Sequence, residues 1–122
     1  MAIVWNSAHT AFARFFLLTC FERGVTMQTL DVVFRAERSG DHKGEVTAVF
    51  PTEYEHNGLH SCYAHIGQHG ACSRAWYAKT RPATESEYAD LLAELRGIYE
   101  TPPAAWGIAP LKLIVRRRAK WG

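Results

Sequence analysis

The sequence predicts a small α+β domain: a two-layer sandwich in which an antiparallel sheet of order β-β-β-α-β carries one main helix, with an extra helix near the N-terminus. Three observations lead there. Leu30, Val32, Phe34 and Ala36 alternate with Asp31, Arg35 and Glu37, the period-two pattern of a half-buried strand. The polar turn Ser39–Gly44 then leads into a second alternating run, Glu45–Phe50, so the two strands form a hairpin. Further on, Tyr88, Leu91, Leu92, Leu95 and Ile98 form one apolar stripe at helical spacing, opened by Thr84 and Glu87 as a capping box.

Taken in order, residues 1–26 stand apart as an N-terminal extension. The apolar run Phe15–Phe21 is far shorter than the roughly twenty residues that span a bilayer, and it lacks the flanks of a signal peptide. Two readings stay open. One is an amphipathic helix over Ala8–Glu22, with Phe12, Phe15, Phe16 and Leu18 on one side. The other is a start at Met27, because Glu22–Thr26 can be encoded by a purine-rich ribosome-binding run ahead of an ATG codon. The single domain is expected over 27–118, with 119–122 as a basic tail.

The first strand places Leu30, Val32, Phe34 and Ala36 inward, and the second places Val46, Ala48 and Phe50 inward. Pro51 is expected to end the second strand, since a central strand needs its N–H. A third strand over 61–66 puts Cys62, Ala64 and Ile66 on the core face, with Tyr63 and His65 on the other. Residues 73–83 read as irregular. After the helix, a Pro/Ala/Gly linker over 101–110 precedes a last strand carrying Leu111, Leu113 and Val115. The outer sheet face would then show Val33, Val49, Tyr63, His65 and Ile114. That is apolar enough to call for a partner, a dimer interface or the N-terminal helix.

A chain of 122 residues, 48% hydrophobic and 21% charged, supports one modest core and no separate cofactor domain. Three cysteines, an odd number, suit a reducing cytoplasm better than a disulfide framework. The net charge of +2 is too small to argue for nucleic acid by itself, but the cations crowd the C-terminus. No G-x-x-x-x-G-K-[ST] or G-x-G-x-x-G run is present, which excludes the usual nucleotide loops.

The chemistry-bearing residues concentrate in the run His60, Cys62, His65, His69 and Cys72. Imidazole and thiolate are zinc ligands, and His65, His69 and Cys72 could converge across the Gly67 turn on an ion such as Zn. The spacing matches no familiar zinc motif, and strand alternation would send Cys62 and His65 to opposite faces. The competing reading makes Cys62 a small core residue and gives His65 and His69 local backbone partners. A nucleophilic Cys72 with His69 as base lacks a nameable group to orient the base. A Cys62–Cys72 bridge remains open too. Elsewhere, Arg74, Trp76, Tyr77, Lys79 and Arg81 interleave cations with aromatics, a mixture that stacks on bases and neutralises phosphates. The same residues also suit a loop anchored to the core by its aromatic rings. Arg116, Arg117 and Arg118 form a basic run that fits a nucleic acid or an acidic protein, or simply a solvated chain end.

The block from Leu30 to Glu100 resembles a family of small bacterial proteins found on plasmids, integrative elements and phages. The likeness rests on Asp31–Arg35, Gly44–Pro51, the box Tyr63-Ala64-His65-Ile66-Gly67-Gln68-His69-Gly70, and Pro82–Thr84 leading into Glu87–Leu91. Members of that family begin near the position of Met27. The resemblance implies a mobile-element setting and supplies no activity. The expectation is therefore an accessory or modulator protein that is not an enzyme, requires no cofactor and has no membrane association. It would bind a host protein or a nucleic acid, with a dimer through the outer sheet face as a further option. The rival is a metal-dependent site at His65, His69 and Cys72.

Overall fold

The computed structural model describes residues 28–64 and 68–121, together with the backbone of 3–5. Its centre is strand β2 (Gln28–Glu37), which is buried along most of its length on both faces. β3 (Val46–Tyr54) returns antiparallel beside it, pairing Val33 with Val49 and Ala36 with Val46. The turn between them works because Gly40 and Gly44 adopt φ of 84° and 88°, the left-handed region that costs glycine nothing. Pro51 does not end β3 as expected. The strand runs on to Tyr54, and a register shift between Phe50 and Tyr54 absorbs the missing donor.

β4 (His60–Tyr63) pairs with β3, and β5 (His69–Cys72) pairs with β4. β4 ends three residues sooner than the expected third strand. β5 was not expected at all, because Gly70 and the lack of β-branched residues hide it. The edge beyond β5 is taken by β1 (Ile3–Trp5), which pairs Val4 with Ala71. The helix expected over 8–22 and the residues His65, Ile66 and Gly67 lie outside the described residues.

The stretch read as irregular holds two elements. Helix α1 (Arg74–Ala78) is capped by Ser73, whose hydroxyl accepts from the Trp76 N–H at 3.0 Å. β6 (Thr80–Pro82) pairs with the end of β2. Helix α2 (Glu85–Tyr99) opens with the expected capping box: Thr84 accepts from Glu87 N–H, and the Glu87 carboxylate accepts from Thr84 N–H. The last strand, β7 (Leu111–Arg116), lies parallel to the first half of β2, so the sheet is mixed rather than wholly antiparallel. The strand order is β1-β5-β4-β3-β2-β6, with β7 also on β2. One amide of the β7 edge, Leu113 N–H, donates to the Glu100 carboxylate at 2.9 Å, which blunts that edge for further pairing.

The α+β class holds. Leu30, Val32, Phe34, Ala48 and Phe50 face Leu91, Leu95 and Tyr99 of α2, and Tyr88 stacks on Phe34 at 4.3 Å between ring centres. The parity of β4 is the reverse of the expectation. Tyr63 lies opposite Ala48 and joins the helix-side core, whereas Cys62 lies opposite Val49 on the other face. Both parities of this strand are apolar enough to be buried, so alternation alone could not say which one meets the helix. The outer face carries Val33 and Val49 as expected, and α1 and the C-terminal segment cover it. Trp76 packs with Val49, Cys62 and Cys72, and Tyr77 and Trp121 pack against that cluster. Among the described residues no helix is long and apolar enough to cross a membrane.

Candidate functional site

The sheet separates the residues of the His/Cys run. β4 and β5 pair Tyr63 with His69 and His60 with Cys72. His69 therefore points to the helix side, beside the Tyr63 ring at 4.7 Å, and Cys72 points to the opposite side, against Cys62 and Trp76. Residues three apart in a strand face opposite ways. His69 and Cys72 thus cannot share an ion, and His65 lies outside the described residues. The two cysteines are free thiols on one face, and Cys72 interacts with Cys62 closely enough, together with burial, to push the Cys62 thiol pKa up.

On the helix side His69 has a long-range partner. Its Nε2 lies 2.6 Å from the Tyr99 hydroxyl, and the Tyr63 hydroxyl donates to the Glu94 carboxylate. These long-range pairs tie β4 and β5 to the second half of α2. Burial pushes the Tyr99 hydroxyl pKa up, with Tyr63 and Glu53 adding to the shift. The Glu53 carboxyl is pushed up to about 7, mainly by burial.

The other face is built differently. Arg35 is buried, and its guanidinium donates to Thr80 Oγ1 at 2.8 Å and to the Thr80 carbonyl at 2.7 Å. The same group lies 4.2 Å from the centre of the Tyr77 ring. Burial pulls the Arg35 pKa below its ordinary value and Tyr77 partly offsets this. Arg38 donates to the same carbonyl at 3.1 Å. Trp76 Nε1–H donates to the Glu37 carboxylate at 2.9 Å, and Tyr77 Oη accepts from Ala119 N–H at 2.9 Å. Through that last bond the C-terminal segment folds back over α1.

The segment ends at Trp121, whose ring lies 4.1 Å from the His60 ring and edge-on to Tyr77 at 5.2 Å. The Arg74 guanidinium sits 4.9 Å from the Trp121 ring centre, and its Nε–H donates to His60 Nε2 at 3.2 Å. That bond makes Nε2 the acceptor and puts the His60 proton on Nδ1. Nδ1, on the Pro51 side, has no well-formed hydrogen bond. Burial first, then the Arg74 charge, lowers the His60 pKa, so the ring stays neutral. On its far side His60 meets the Tyr54 ring at 4.7 Å, and Tyr54 is 60% exposed.

The residues expected to contact a partner divide three ways. Trp76 is buried and Tyr77 half-buried, the anchoring role. Arg81 and Arg116 are engaged in ion pairs, Arg81 with Glu87 at 2.8 Å and Arg116 with Asp31 at 3.4 Å. Arg74, Lys79, Arg117 and Arg118 are exposed and make no ion pair among the described residues. Arg117 lines a groove of about 620 Å³ beside Thr84, Tyr88 and Val115. Sequence reasoning missed Tyr54, Arg35 and Trp121, and gave His60 no role beyond its place in the His/Cys run. Tyr54 and Trp121 are visible in the sequence as aromatic residues among polar neighbours, but nothing local joins them. No protein-family model, curated protein or solved structure matches the chain; its class is that of a small α+β domain with a mixed sheet.

Proposed function

We propose that the protein is a non-enzymatic accessory protein that binds nucleic acid through the face covered by α1 and the C-terminal segment. One observation carries this reading. Arg38 just past β2, Arg74 and Lys79 on and beside α1, and Arg118 and Lys120 on the segment folded over it are exposed and make no ion pair among the described residues. Uncompensated cations on one layer attract phosphates and release their counterions on binding. The mobile-element setting implied by the family resemblance suits such an accessory role.

The test is fluorescence anisotropy of labelled DNA and RNA oligonucleotides across a salt series. With four or five phosphate contacts, affinity should fall roughly 50- to 500-fold between about 50 and about 200 mM salt. Replacing Arg74, Arg118 and Lys120 by Glu together should abolish the interaction. Absence of binding at the lowest salt, or binding that ignores salt, would overturn the reading and leave an acidic or apolar protein as the partner.

A further inference from the structure

We infer that Tyr54, His60, Trp121 and Arg74 form a stacking site for unpaired bases, so that the bound strand is single rather than duplex; this rests on the nucleic-acid reading above. The argument starts from the Tyr54 ring. It sits at the end of β3 past the register shift at Phe50, its ring meets His60 at a tilt, and the residue is 60% exposed. The three rings run in sequence, Tyr54 to His60 at 4.7 Å and His60 to Trp121 at 4.1 Å, each tilted by 47°. Arg74 fixes two of them at once, through its hydrogen bond to His60 and its place over Trp121. A buried neutral histidine in the middle adds no charge, yet it sets the orientation of its neighbours. The rim of the cluster is thus an aromatic surface next to an exposed guanidinium.

Two acidic residues flank Tyr54 in sequence: Glu53 is partly buried, and Glu55 accepts from the Ser61 hydroxyl at 2.7 Å. Their charge opposes a phosphate beside the ring, so the phosphate contact falls to Arg74. Stacking on aromatic rings beside cations is tolerant of sequence, since every base has a π-face. Bases inside a duplex already have both faces covered by their neighbours. A duplex can therefore meet the cations and not the rings. The ligand class is a single strand bound with little sequence preference.

The experiment compares three probes of similar charge on the full chain: an oligothymidylate single strand, a duplex of half its length, and inorganic polyphosphate with a matching number of phosphates. The single strand should bind tightest. Tyr54→Ala should weaken it roughly 5- to 150-fold, the scale of one stacked base, and leave duplex and polyphosphate binding unchanged. Tyr54→Phe, which keeps the ring, should restore the single-strand affinity. An unchanged unfolding midpoint for both variants shows that the fold is intact. Equal binding of all three probes with no effect of Tyr54→Ala overturns the stacking site and leaves the basic face standing. Failure of all three probes to bind overturns the nucleic-acid reading itself.

Discussion

The helix-side face of the sheet is sealed by the fifteen residues of α2, whereas the opposite face is covered by the five residues of α1 and a folded-back chain end. Under α2 lies a continuous core from Leu30 to Leu113, with its polar groups paired across the layer: His69 with Tyr99 and Tyr63 with Glu94. Under α1 lies a smaller cluster of Val49, Cys62, Cys72 and Trp76, ringed by cations that touch aromatic faces. The thick side holds the protein together. The thin side combines aromatic rings with exposed cations, the composition on which the proposed binding role rests.

The comparison can be broken first at Leu95, which is fully buried under α2. Leu95→Ala should cost about 2–5 kcal/mol in urea unfolding, the range for a cavity left in a packed core. Trp121→Ala, on the thin side, should cost only about 1 kcal/mol, the scale of an aromatic contact. Comparable losses from the two variants would erase the distinction between the faces.

Arg35→Met tests what anchors the thin layer. The buried guanidinium holds Thr80 and Tyr77, and its loss should cost roughly 1–3 kcal/mol as its hydrogen bonds disappear. Amide exchange should rise in α1 and spare α2. Faster exchange in both helices would show that the layers unfold together. Thr84→Ala removes the cap of α2 and should lower stability by about 1 kcal/mol, read as a shift in the urea midpoint at constant slope.

A separate effect concerns pH. The Glu53 carboxyl is raised from 4.5 to about 7 in the folded protein, so the native state binds this proton more tightly than the unfolded chain. Its stabilising contribution is complete below about pH 4.5 and is lost as pH rises toward about 7. Glu53→Gln should flatten that decline in the thermal midpoint. An unchanged pH profile would place Glu53 in full contact with water.

Much of the thick side was legible. The alternation in β2 and β3, the glycine turn and the capping box of α2 are local patterns, and each formed where expected apart from the far end of β3. Less of the thin side was. Ser73 capping a five-residue helix and Thr80–Pro82 pairing with β2 are short features that only the neighbouring strand stabilises. The pairing of Arg81 with Glu87 was likewise not legible, since it joins the end of β6 to the first turn of α2. The metal reading depended on His69 and Cys72 converging across a turn, and β5, hidden in the sequence, sent them to opposite faces.

By itself the sequence determined the α+β class, the hairpin, the main helix and the concentration of positive charge near the end of the chain. These follow from periodicity, turn chemistry and composition, which act over a few residues. Only the tertiary structure decided that Tyr63 faces the helix and Cys62 the opposite side, and that Trp121 closes on His60, Arg74 and Tyr77. Strand register and the return of the chain end bring together residues far apart in sequence, and no local pattern encodes that meeting.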